Sequence, residues 1–92
     1  MAMQGSPEAV HNIWETMEKV EKRLHEEAEL MRNIKNASIM VGWDDEKGQA
    51  FQDLMDRIAL LIEMPLEPLT KTVPKLKELE QLMRDYNNLP LG

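Results

Sequence analysis

Cysteine is absent from this 92-residue chain, so disulfides, thiolate chemistry and cysteine metal sites are all closed to it. Aromatic residues are scarce: two tryptophans, one tyrosine and one phenylalanine make up the whole set. Positive charge is short as well, with 11 basic against 17 acidic residues, a net charge of -6 and a pI near 4.9. That balance argues against a nucleic-acid partner, because lysines and arginines supply the affinity for a phosphate backbone. It argues equally against docking on an anionic membrane. Long apolar runs are missing, and residues 1–20 hold no positively charged, apolar stretch of the signal-peptide kind, so membrane insertion is not expected. The expectation is a soluble protein made in the cytoplasm, whose export, if any, uses no cleaved leader. There is no low-complexity segment and no repeat of solenoid period.

What is present is helical periodicity. Ser6-Pro7-Glu8 is a helix start: serine caps, proline fits the first turn, and glutamate suits the positive end of the dipole. Val10, Ile13, Trp14, Met17, Val20, Leu24, Ala28, Met31, Ile34 and Ala37 then recur at helical spacing, with no proline or glycine from Glu8 to Val41. Charged residues fill the other face, and Glu15–Lys19 and Glu18–Lys22 are spaced i to i+4 in the favourable order. The pattern predicts a helix from about Pro7 to about Ile39, on the order of 50 Å long at ~1.5 Å per residue. Such a stripe is ordinarily plain core. Trp14, near the helix end, either caps the bundle or anchors a partner.

The middle of the chain, Gly42 to Phe51, is a turn. Gly42 suits the left-handed residue after a helix, and Trp43 can fold back over the last turn or insert between the helices. Asp44 or Asp45 can cap the next helix, with Glu46 in its first turn. Gly48 sits inside that helix despite a cost of ~1 kcal/mol against alanine; close approach to the first helix or to Trp43 would account for it. If the Trp43 indole is buried between the helices, Trp43→Ala should cost about 3 kcal/mol or more.

From Phe51 a second stripe runs through Leu54, Met55, Ile58, Leu61, Ile62, Pro65, Leu69, Leu76, Leu79, Met83 and Tyr86. Pro65, Pro68 and Pro74 interrupt it, each removing a backbone donor. The simplest reading is a helix from Asp45 to Glu63, a break, and another helix from about Pro74 to Asn87. Yet positions 51, 58, 65, 72, 79 and 86 share one heptad register, and 55, 62, 69, 76 and 83 are Met, Ile, Leu, Leu and Met. Independent helices would have no reason to stay in phase. A kinked but continuous second helix is therefore favoured, ending before the Asn87–Gly92 tail.

Chemistry is hard to find. Ser6 and Ser38 lack the setting of an activated nucleophile. His11 and His25 are fourteen residues apart on one helix, roughly 21 Å by helical rise, too far to share a metal within one chain. Glu21 and Glu29 flank His25 one turn either side, but the plain reading is a solvated histidine in an acidic helix. Nothing points to a cofactor, and no enzymatic activity is expected. Eight methionines give an adaptable contact surface.

The centre of the chain resembles the Trp-X-Gly family of small type VII secretion proteins, whose founders are the early secreted antigens. Trp43 sits at the expected midpoint and Phe51 follows it by eight residues. The pattern departs at Asp45, two residues after Trp43, where that family has glycine; the nearest downstream glycine is Gly48. The family's export signal, a tyrosine with an acid four residues on, is also missing, since Tyr86 is followed there by Pro90. The resemblance covers length and topology of the whole chain, and in motif terms Trp43, Gly48 and Phe51. It implies a helical hairpin with the motif in its turn.

The expected fold is thus all-α: one domain over residues 1–92, an antiparallel helical hairpin with a kinked second helix and flexible ends at 1–6 and 88–92. A lone hairpin of this size has no closed core, so dimerisation into a four-helix bundle is expected, with itself, a similar hairpin or a larger secreted protein. The turn motif is Gly42, Trp43, Asp44, Asp45, Gly48 and Phe51, in which Trp43 and Phe51 would lock the hairpin and Gly42 and Gly48 would permit the close approach. Trp14, Met17, Leu24, Met31, Leu54, Ile58, Leu61, Ile62 and Leu69 would form the shared seam. The expected role is that of a type VII-like secretion substrate or its helical partner. The rival expectation is an intracellular adaptor, regulatory or immunity protein. A distant third is a metal-binding or enzymatic bundle using histidines and glutamates across a dimer.

Overall fold

The computed structural model describes residues 6–89, and these form helices and turns with no strand among them. Helix α1 spans Pro7–Met40, α2 spans Glu46–Glu63 and α3 spans Leu66–Asn87. The chain reverses once, between α1 and α2, and α1 packs along both α2 and α3. The architecture is a helical hairpin with a bent second arm. Of the ends expected to be flexible, 1–5 and 90–92 lie outside the described residues. Ser6 caps α1 and accepts from the Ala9 N–H at 3.1 Å. The Asn88 N–H bonds back to Arg84 and Asp85 at the close of α3.

The prolines bend the second arm without breaking it. Met64 and Pro65 fall between α2 and α3, yet both keep right-handed helical dihedrals, so the path continues. Pro68 is the third residue of α3, where a backbone N–H has no partner within the helix anyway. Pro74 lies inside α3 on an exposed position, at the loss of one hydrogen bond. The second arm is therefore helical well before Pro74.

The seam between the arms keeps a strict seven-residue period. On α1, Pro7, Val10, Trp14, Met17, Glu21, Leu24, Ala28, Met31, Lys35 and Ser38 are buried or half-buried, at alternating steps of three and four. On the second arm, positions 48, 55, 62, 69, 76 and 83 alternate with 52, 59, 66, 73 and 80. The register through Met55, Ile62, Leu69, Leu76 and Met83 thus stays inside across the bend. The parallel register through 51, 58, 65, 72, 79 and 86 lies at the edge of the groove: Phe51, Ile58 and Thr72 are half-buried, whereas Leu79 is 44% and Tyr86 74% exposed. One position further on, Ala59, Leu66, Val73 and Glu80 take its place, because two helices share one groove and each offers it one stripe.

The result is a rod of 76 × 23 × 17 Å with a radius of gyration of 21.0 Å, where a compact domain of this length would have about 12 Å. Its fully buried positions are small, with Ala28 and Ala59 at 0% exposure, and no large side chain among the described residues is completely covered. The accessible surface is 7323 Å², against about 5,500 Å² for a compact monomer of the same mass. None of the helices is long and apolar enough to cross a membrane.

Candidate interaction surface

Three features were candidates for function: the turn, the far end around Trp14, and the sides of the hairpin. Each follows from which residues flank the seam.

At the turn, α1 ends in a Schellman motif. The Trp43 N–H bonds the Ser38 carbonyl at 3.1 Å and the Gly42 N–H bonds Ile39 at 2.9 Å, with Gly42 at φ +78°. Asp45 then caps α2, its Oδ1 accepting from the Gly48 N–H at 2.7 Å. Asp44 is exposed, and its carbonyl accepts from the Gln49 side chain at 3.1 Å. The Trp43 ring stacks on Phe51 with centroids 5.3 Å apart. A Cβ on Gly48 would stand 2.3 Å from the Trp43 carbonyl oxygen and 2.7 Å from its indole carbons. The glycine inside α2 is therefore there for Trp43, not for α1. Since Trp43 remains 39% exposed, it covers the end of the hairpin rather than inserting between the arms. The 3 kcal/mol expected for a buried indole falls accordingly.

At the other end, Glu80 gathers donors. Trp14 Nε1–H donates to its Oε1 at 2.7 Å, His11 Nδ1 lies 3.0 Å from the same oxygen, and Arg84 donates to Oε2 at 2.7 Å. Lys77 Nζ sits 4.7 Å from the Trp14 ring centroid and bonds Glu18 at 2.9 Å. These donors, the indole first, hold the Glu80 carboxyl down at about 2, against the opposing effect of its partial desolvation. A carboxylate so saturated is a fixed counter-ion that ties the two arms together.

The sides of the hairpin differ sharply from each other. Residues that directly follow a seam position carry the charges: Glu18, Arg32, Asp56, Glu63, Lys77 and Arg84. Arg32 grips Glu63 with two bonds, at 2.8 and 2.5 Å, and Lys35 reaches Asp56 at 2.6 Å. This hydrogen-bonded pairing raises the Arg32 pKa and lowers that of Glu63. Because Arg32–Glu63 and Glu18–Lys77 cross from arm to arm, the flanks bearing them lie on one side of the rod. The opposite flanks must then share the other side, and they are apolar. Residues that directly precede a seam position include Ile13, Val20, Leu30, Ile34, Leu54, Leu61, Pro65, Leu79 and Leu82. Ile13 is 52%, Leu54 50% and Leu61 64% exposed. Exposed isoleucine, valine and leucine from both arms therefore gather on the side opposite the ion pairs.

The residues expected to form a shared seam divide between these two places. Trp14, Met17, Leu24, Met31, Ile62 and Leu69 are half-buried where the arms of one chain meet, Ile58 is half-buried at the edge of that seam, and Leu54 and Leu61 stand on the exposed apolar face. Sequence reasoning merged two stripes into one. Leu54 and Leu61 directly precede the seam residues Met55 and Ile62, and a pattern that counts apolar residues at helical spacing does not separate the two stripes. Glu80 was not singled out at all, because a glutamate in a charged helix gives no hint that Trp14 lies across the seam.

Among the described residues no three histidine or acidic side chains converge to hold a metal ion. Two surface depressions, one lined by Ala50, Asp53, Leu54 and Arg57 and the other by Glu26, Glu29, Leu30 and Asn33, are shallow and open. No protein-family model, curated protein or solved structure matches this chain.

Proposed function

We propose that this protein is a non-enzymatic binding module, a helical hairpin that acts by pairing with another helical hairpin. The single observation behind this reading is the two-sidedness of the rod. One side is cross-linked by ion pairs within the chain, and the other presents isoleucine, valine and leucine from both arms to solvent. An accessible area about 1,800 Å² larger than that of a compact monomer supports the same reading, since a standard interface takes about 800 Å² from each partner. Its place in the cell is that of a type VII-like secretion substrate, or of the helical partner of one. The supporting features are the resemblance at Trp43, Gly48 and Phe51 and the hairpin itself.

Cross-linking in the native cell tests the binding role: the intact chain should give protein adducts that Leu61→Asp abolishes. A chain that yields none refutes it. Export is tested separately, by detecting the chain in culture supernatant with and without the secretion ATPase. A second reading, an intracellular adaptor, regulatory or immunity protein, is favoured by Pro90 standing where an export acid is expected. Retention in the cell under both conditions would select it.

A further inference from the structure

The net charge of the chain is not spread along the rod. The arm-to-arm pairs Glu18–Lys77 and Arg32–Glu63 place residues 25 and 70 at the same height, so residues 26–69 form the half that contains the turn. That half holds ten acidic and four basic residues, whereas the other half holds seven of each. The whole charge of -6 therefore belongs to the turn half. Two of its four bases are already engaged, Arg32 with Glu63 and Lys35 with Asp56. Among the described residues, Asp44, Asp45, Glu46 and Asp53 have no ion-pair partner. The end of α1 and the start of α2 lie side by side, so their dipoles oppose and the carboxylates set the sign of the field.

The same end is where apolar side chains stand furthest into solvent. Every residue from Ile39 to Lys47 is exposed. Met40 at 86% and Val41 at 80% are the most exposed large hydrophobic residues among those described, and Ile39 and the part-covered Trp43 ring flank them. The turn does not need these side chains, since Val41 serves the cap through its backbone N–H alone. A methionine, a valine and an indole grouped at one tip make an adaptable apolar anchor.

We propose that the turn end is a second docking surface, occupied by a cationic amphipathic segment of a different protein. The segment seats an apolar side chain against Met40, Val41 and Trp43, and sets lysine or arginine beside Asp44 and Glu46. Charge selects this occupant: unpaired carboxylates around an apolar tip repel anionic partners and steer cationic ones in. A second copy of this chain does not fit, because turn against turn sets -6 against -6 and the other half has no net charge to attract it. The proposal adds to the binding role above and uses neither the apolar side of the rod nor self-pairing.

The test titrates the whole chain with a leucine–lysine amphipathic peptide of about 18 residues, long enough to turn helical. A leucine–glutamate peptide of the same pattern is the control. Amide resonances of Met40, Val41, Trp43 and Glu46 should shift with the first peptide and stay still with the second, and binding should weaken as salt is raised. Met40→Ser/Val41→Ser and Asp44→Asn/Glu46→Gln should each lower affinity roughly tenfold, with helical content unchanged because all four side chains are exposed. Asp45 is left in place because it caps α2. Leu61→Asp, on the apolar side, should bind the peptide like the unaltered chain. No shift at the tip, equal binding of the two peptides, or unchanged affinity in both tip variants would overturn the proposal. Shifts confined to the surroundings of Leu54 and Leu61, abolished by Leu61→Asp, would overturn it while leaving the binding role intact.

Discussion

Gly48 leaves the space that the Trp43 backbone and indole occupy: an added Cβ would meet the Trp43 carbonyl oxygen at 2.3 Å. The turn is thus built from the tryptophan inward, with Phe51 stacked on the ring and Asp45 capping the helix that contains the glycine. Gly48→Ala should consequently destabilise the hairpin by about 1–2 kcal/mol in denaturant unfolding. The intrinsic helix gain of ~1 kcal/mol is outweighed by overpacking. A stabilised variant would mean that Trp43 moves aside freely.

Asp45→Ala should cost about 1 kcal/mol by loss of the cap. Asp45→Asn should recover most of it, because the amide oxygen still accepts from the Gly48 N–H. Equal melting of all three chains would show that the cap contributes nothing.

Trp43→Ala should cost about 1–2 kcal/mol, the worth of a stacked pair and a part-covered ring. A loss well above 3 kcal/mol would place the indole deeper than its 39% exposure allows.

Glu80 and Glu63 both have depressed folded-state pKa values, for Glu80 from 4.5 to about 2. A lowered carboxylate pKa favours the folded state above the unfolded value, and that contribution fades as pH falls from about 4.5 towards 2. Stability should therefore drop through this acid window. Followed by Trp14 emission in a Trp43→Phe background, Glu80→Gln should flatten the drop while leaving neutral-pH helicity in place. An unaltered acid profile would remove Glu80 from the linkage.

Leu54 and Met55 are neighbours in sequence with opposite surroundings, one 50% and the other 8% exposed. Met55→Ala should cost the monomer fold about 2–5 kcal/mol. Leu54→Asp should change that fold by no more than about 0.5 kcal/mol and show its effect in association alone. Both are read by pairing thermal melts with sedimentation; a reversal of the two effects would mean the seam and the outer face had been exchanged.

How much of this was legible beforehand depends on the range of the interaction. The start of α1 at Ser6-Pro7, the stop at Gly42 and the cap at Asp45 are local, each decided within a few residues, and they were readable from residue type. So was the continuity of the second arm, because the register through Met55, Ile62, Leu69, Leu76 and Met83 runs on past Pro65 and Pro68. The partner of Gly48 was legible only as a choice between α1 and Trp43. Which of two stripes faces inward was not legible, since Ile58 and Ala59, or Thr72 and Val73, are alike to a pattern that counts apolar residues.

By itself, then, the sequence determined two helical arms, their reversal at Gly42–Trp43 and the lack of any thiol chemistry, because capping, glycine geometry and helical period act over short stretches. The tertiary structure decided that Glu80 answers Trp14, that ion pairs lace one side, and that Leu54 and Leu61 look outward. Those facts depend on the rotation of each arm about its own axis, which is set by packing one against the other and is written in no single segment.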